Sequence, residues 1–251
     1  MVTDSYFYLF AIPATLILGI SKAGFGSAFG SLAVPLIALT ITVPQATAIL
    51  LPVLAVMDAL GLKSYWKQVD WALIRRILPS GLAGILIGFL VFKQVDSKYV
   101  GGLVGVTSIG FVALRAWQAR RAGGNAAPYI APQWVAWLCA TVSGFTSFVA
   151  HAGGPPLGIY TLPLKLNPTQ FVASMTVFFA VINLSKWVPY AQLGLLTMEN
   201  LQTSLVLMFF APIGNWLGVR IATTINITLF YRIVNVALIT TGLKLIVDAF
   251  R

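Results

Sequence analysis

Charge is scarce in this chain: Asp, Glu, Lys and Arg make up 9% of its 251 residues, acids number six, and there is one histidine and one cysteine. A lone cysteine, Cys139, excludes an intrachain disulfide and a cysteine metal cluster. Enzymes that work through metal ions or acid–base pairs need several His, Asp or Glu side chains at suitable spacing. One histidine and six acids, four of them in loops or at termini, supply little of that, so no enzyme, no metal and no cofactor is expected. Most of the basic residues behind the +10 formal charge stand between apolar segments, where they set topology and give no nucleic-acid surface.

What fills the chain is apolar: 59% of residues are hydrophobic and the mean hydropathy is +0.90. A membrane helix needs about 20 mostly apolar residues. Apolar segments cover roughly 5–21, 27–41, 44–61, 72–92 and 98–118, then 133–149, 155–164, 168–188, 198–219 and 228–248. The fold expected is all-α, a polytopic membrane helix bundle. No basic stretch precedes Ser5 and the first segment leads into glycines with no cleavage site, so it reads as retained.

The ten segments divide five and five. Between them, ARRAGGNAAPYIAPQ at 119–133 is rich in Gly, Pro and Arg, which gives a first repeat over 1–118, a linker over 119–132 and a second repeat over 133–251. The halves share detail: Pro35/Pro156, Pro44/Pro168, Asp58/Asn183, Gly84/Gly214, Gly88/Gly218 and Tyr99/Tyr231 pair at offsets rising from 121 to 132. Segments 27–41 and 155–164 are too short to span, so each half is expected to hold a broken or re-entrant helical hairpin followed by three spanning helices. Odd parity per half makes the halves an inverted repeat, with both termini outside and eleven basic residues on the cytoplasmic side against five. Were residues 5–41 a single crossing, a parallel arrangement would score nearly as well, so charge bias alone does not decide.

Both short segments follow glycine-rich breaks, SKAGFGSAFGSLAVP at 21–35 and TSFVAHAGGPPLGIY at 146–160. Lipid offers no water to opened backbone amides, so a paired break points to a polar cavity, the usual site of a secondary transporter. The site residues expected there are Lys22, Gly24, Gly26 and Ser27 from the first break and His151, Gly153 and Gly154 from the second. A helix starting beside Lys22 would present amides and a positive dipole to an anion, and His151 or Asp58 is the candidate proton carrier. Asn183 and Lys186, one turn apart, make a polar patch on one helical face. Plainer readings stand beside these: Lys22 snorkelling, His151 bonded to a carbonyl, Asp58 paired with Lys63 at the membrane face, Lys186 interfacial. Glycines four apart, Gly26/Gly30, Gly84/Gly88, Gly101/Gly105 and Gly214/Gly218, are expected at close helix contacts, and Trp66, Trp71, Trp117, Trp134 and Trp187 in an interfacial belt.

On the glycine-rich stretch leading into Val34-Pro35-Leu36, the HAGGPP run at 151–156 and the two-fold repeat, the chain resembles the sulfite exporter TauE/SafE family of bacterial membrane permeases. It departs from that family at Ser27 and Ala28, where further glycines are common. The resemblance implies a carrier of small sulfur-containing anions, sulfite or organosulfonates, in the bacterial cytoplasmic membrane; proton coupling is an option that rests on His151 and Asp58. A passive anion channel and, more remotely, an integral-membrane enzyme are the other readings. Oligomeric state, direction and the particular anion are not written in the residues.

Overall fold

The structure, a computed structural model, describes residues 1–25, 30–121, 131–221 and 227–250, with residues 97, 114, 115, 117–121, 221 and 227–231 described by backbone alone. The helices are α1 Ser5–Phe25, α2 Ala33–Ile37, α3 Val43–Tyr65, α4 Trp71–Gln94, α5 Ser97–Arg121, α6 Gln133–Ala150, α7 Gly154–Thr161, α8 Pro168–Ser185, α9 Trp187–Gln192, α10 Met198–Met208, α11 Phe210–Ile221 and α12 Ile227–Ala249. No strand occurs among the described residues. Four helices are long and apolar enough to cross a membrane, α1, α3, α4 and α8 with α9, and the pair α10–α11, bent by 41°, makes a fifth. At 25 and 23 residues, α5 and α12 also reach spanning length.

The breaks have local causes. Proline lacks an N–H and crowds the carbonyl four residues back. Pro212 therefore opens the chain at Met208, where α10 gives way to α11, and Pro189 opens it at Ser185, where α8 gives way to α9 with Lys186 between them. Helix starts are capped in matching ways. Thr42 and Asn167 cap α3 and α8, each with a proline in the first turn, and Asp70 and Thr197 accept backbone N–H groups at α4 and α10.

The core is built on α3 against α8. Residues 46–54 of α3 and 173–179 of α8 are buried on every side, as helices walled in by other helices must be. Around this pair α1 runs along α11, α6 along α4 and α5 along α12. Small residues let these backbones touch: a β-carbon on Gly84 would collide with the Thr141 carbonyl oxygen, one on Gly144 with the Gly81 oxygen, and one on Gly214 would lie 2.9 Å from the Leu16 oxygen. The four-residue glycine pairs thus behave as expected at Gly84/Gly88 and Gly214/Gly218, whereas Gly101 has open space beside it and its partner Gly105 abuts the Gly242 oxygen. A β-carbon on Gly30 would meet only side chains, those of Leu18 and Ser21, and Gly26 lies outside the described residues.

Polar contacts sort the helix ends into two sets. At a first end, the Val2 N–H donates to Thr203 Oγ1 at 2.9 Å and Gln45 Nε2 to Asn200 Oδ1 at 3.3 Å, while Thr42, Lys98 and Asp248 share a pocket. This end holds the start of α3, α5 and α10 and the end of α12. At a second end, the Asp70 N–H donates to Ser174 Oγ at 3.0 Å and Arg76 Nη1 to Tyr160 Oη at 3.1 Å. The hairpin α1–α2 leaves and regains the first end. The hairpin α6–α7 leaves and regains the second, since α6 runs parallel to α4 and Tyr160 closes α7 beside Arg76.

Large apolar side chains point outward along α4 and α12, including Leu86, Leu90, Ile233 and Val236, as lipid contact requires. Trp66 and Trp71 stack edge to face at 5.0 Å and are exposed, as is Trp134, near the second end, whereas Trp187 is partly buried beside the core. The Trp117 side chain lies outside the described residues. α5 continues to Arg121, three residues beyond the boundary expected at 118, and the linker is described only at 119–121 and 131–132.

Candidate functional site

The two hairpin tips and the two central helices bring five polar side chains into one buried line. Lys22, in the last turn of α1, forms an ion pair with Asp58 of α3, both 6% exposed at the side chain. Asn183 Nδ2 donates to the other Asp58 oxygen at 2.7 Å, and the Asn183 Oδ1 accepts from Lys186 Nζ at 2.8 Å. Lys186 also donates to Ser147 Oγ at 2.8 Å and meets His151 Nδ1 at 3.0 Å. The line ends where His151 Nε2 meets the Thr47 carbonyl oxygen at 2.9 Å.

This geometry assigns the histidine proton. A carbonyl oxygen only accepts, so Nε2 carries the hydrogen and Nδ1 is left with the lone pair that receives the Lys186 proton. His151 is the neutral Nε2–H tautomer. The three Lys186 donors are then used on three uncharged acceptors, and no carboxylate forms an ion pair with it among the described residues. Lys22 and Asp58 cancel each other. With both amines protonated, two ammonium groups against one carboxylate leave one positive charge over, on the wholly buried Lys186.

Local sequence explains the placement. His151 sits at the C-cap of α6 with φ of 51°, in the left-handed region, and the Ala152 N–H returns to the Thr146 carbonyl at 3.2 Å. The Ser143 and Thr146 hydroxyls hold the carbonyls of Gly153 and Ala152 at 2.7 and 3.1 Å, so α6 itself satisfies the break. A β-carbon at Gly153 would lie 2.7 Å from both the Phe179 ring and the Ser143 oxygen, which is why only glycine fits. Lys186 occupies the joint that Pro189 opens between α8 and α9, and Tyr190 one turn on anchors the joint by donating to the Phe148 carbonyl at 2.6 Å. Lys22, Ser147, His151, Gly154 and Asn183 line a small cavity with Phe179. Its free volume is about 20 Å³, room for one water.

The sulfite exporter TauE/SafE family matches the chain over residues 11–245, which includes every residue of this line. The chain belongs to that family. Comparison with curated proteins and with solved structures gives no match. In this TauE/SafE chain the polar residues singled out from the sequence converge, but not all in the manner expected. Lys22 does not snorkel and Lys186 is not interfacial, since both are buried. Asp58 pairs with Lys22, while Lys63 is exposed at the second end. His151 does bond a carbonyl, and its other nitrogen faces Lys186.

The first break is not the helix start expected from the sequence. α1 runs on to Phe25, so Lys22 and Gly24 stand at a helix end and not at a helix start. The Gly24 N–H there belongs to the helix ladder, and only carbonyls are left over. The dipole at that end favours the Lys22 cation and offers an anion nothing. Gly26 and Ser27 lie outside the described residues. At the second break α7 does begin at Gly154, but Pro155 and Pro156 carry no N–H, so its first turn has few donors to give. Ser147 and Thr47 were not singled out. A signal for Ser147 exists: it stands 125 residues after Lys22, the same offset that relates Asp58 to Asn183.

Proposed function

We propose that this TauE/SafE chain is a secondary carrier of small sulfur-containing anions, sulfite or organosulfonates, working by alternating access around the Lys22–Asp58–Asn183–Lys186–His151 line. The observation that carries this reading is the Lys186 amine: a wholly buried group whose three contacts are all uncharged, so that as an ammonium it has no counter-ion. A charge at membrane depth costs a few kcal/mol unless something offsets it, and an anion in the adjoining cavity does so. The Lys22 ammonium, the Ser147 hydroxyl and the Gly154 amide border that cavity and replace part of the hydration a sulfonate sheds, charge-assisted contacts being the strongest available.

A space of about 20 Å³, which holds one water and must widen to take a sulfonate, favours a carrier caught between openings over a standing pore. Alternating access also suits the architecture. Reciprocal packing of α1 on α11 and α6 on α4, self-pairing of α5 with α12 and α3 with α8, and hairpins that enter from opposite ends support two halves, 1–118 and 133–251, inverted about an axis in the membrane plane. Exposed described lysines and arginines number seven near the second end (Lys63, Lys67, Arg75, Arg76, Lys165, Arg220, Arg232) and three near the first (Lys93, Lys98, Lys244), which supports a cytoplasmic second end in a bacterial inner membrane. Coupling to protons, with Asp58 or His151 as carrier, fits the same line.

Flux in proteoliposomes tests the reading. Sulfite or methanesulfonate uptake is expected to saturate with concentration, and Lys186→Met is expected to lower it by at least about tenfold, the effect of little more than 1 kcal/mol of lost anion binding. Single-channel currents, or uptake that survives Lys186→Met, would contradict it.

A further inference from the structure

We propose that the site is matched to one negative charge: it takes monovalent oxyanions, hydrogensulfite or a sulfonate, and Asp58, by cancelling Lys22, is the residue that excludes dianions such as sulfate. This rests on the anion-carrier reading of the same site and goes further by fixing the charge of the cargo.

The ionisable groups on every element around the cavity are few. α1 brings Lys22, α3 brings Asp58, the α6–α7 tip brings His151 and the α8–α9 joint brings Lys186. The Tyr190 hydroxyl is engaged with the Phe148 carbonyl. His151 is held neutral by its two contacts: its only N–H goes to the Thr47 carbonyl, and a second proton on Nδ1 would face the Lys186 ammonium across 3.0 Å. Lys22 and Asp58 make a neutral pair. With Lys186 protonated, one positive charge is unbalanced, and one negative charge neutralises the buried cluster. A dianion would leave a net negative charge in a low-dielectric space, which costs a few kcal/mol. Sulfite accordingly enters as hydrogensulfite, bringing its own proton, and a sulfonate enters as it is.

Asp58 sets this count because it is the only acid in the line, and it is fixed from two sides by Lys22 and Asn183. With Asp58→Asn the shape is kept and the Lys22 charge is released, so the site holds two positive charges and suits a dianion.

The test is equilibrium binding to full-length purified protein, with methanesulfonate as monoanion and sulfate as dianion of similar oxygen geometry. Wild-type protein is expected to bind methanesulfonate at least about tenfold more tightly than sulfate, and Asp58→Asn to narrow or reverse that ratio by about tenfold or more. Because a lone Lys22 charge weakens the fold, a second variant is included: Lys22→Met with Asp58→Asn restores the single charge and is expected to return the wild-type preference. Sulfate bound as tightly as methanesulfonate by wild type, or a ratio unchanged in Asp58→Asn, overturns the inference while leaving the carrier reading intact. If neither anion binds wild-type protein, the carrier reading falls and the inference with it.

Discussion

The two buried lysines differ in what they lean on, and the difference has opposite consequences for stability. Lys22 has a carboxylate partner; Lys186 has only an amide oxygen, a hydroxyl and an imidazole nitrogen. Removing one member of a buried ion pair strands the other and costs about 3–5 kcal/mol. Removing a buried charge that has no counter-ion relieves the fold of an unbalanced desolvation cost. Lys22→Met is therefore expected to lower the melting temperature of the purified, ligand-free protein by many degrees, and Lys186→Met to leave it level or raise it, while abolishing the upward shift that methanesulfonate gives wild type. A melting temperature lost equally in both variants would show that Lys186 serves the fold and not a ligand. The polar residues of the line were legible in the sequence because ionisable groups inside apolar segments are so few. Their pairing was not, since Asp58 has Lys63 five residues away and meets Lys22 only through the packing of α1 on α3. Ser147 and Thr47 are not legible in the sequence, because a hydroxyl or a backbone carbonyl in an apolar segment bears no charge to mark it.

At the scale of elements, glycine spacing alone does not say which pairs carry a contact. Gly101/Gly105 and Gly84/Gly88 look alike in the sequence, yet a β-carbon on Gly101 meets nothing within 4 Å while one on Gly84 runs into the Thr141 carbonyl oxygen of α6. Gly84→Ala is expected to force α4 and α6 apart and cost about 1–3 kcal/mol, as overpacking does, whereas Gly101→Ala should be neutral or slightly stabilising through better helix propensity. Thermal melts of the two single variants check this, and equal melting temperatures would contradict the α4–α6 contact. The segment boundaries themselves were readable, with α3, α4, α6 and α8 starting within one or two residues of the expected positions, because Thr42, Asp70 and Asn167 caps and the neighbouring prolines are local signals. The end of α1 was not readable. Gly24 suggested a break, but the helix continues to Phe25 because a glycine lowers helix propensity without forbidding the helix that packing against α2 and α11 holds in place.

For the whole molecule, hairpins entering from opposite ends place the starts of α1 and α6 on opposite sides of the membrane if the halves are inverted. With Cys139→Ala as background, Thr3→Cys is expected to react with a membrane-impermeant maleimide on intact cells, and Gln133→Cys only after the membrane is opened. Labelling of both positions from the same side would contradict the inverted arrangement. The central claim, that the buried line between the hairpin tips binds the anion, is tested most directly by a cryo-EM map of the full-length protein saturated with methanesulfonate. Density for the sulfonate is expected in the cavity bordered by Lys22, Ser147, His151 and Asn183, with its oxygens within hydrogen-bonding reach of the Lys22 Nζ or the Ser147 Oγ. Density found instead only in the pocket of Thr42, Lys98 and Asp248 at the first end, with the line unchanged and dry, would contradict it.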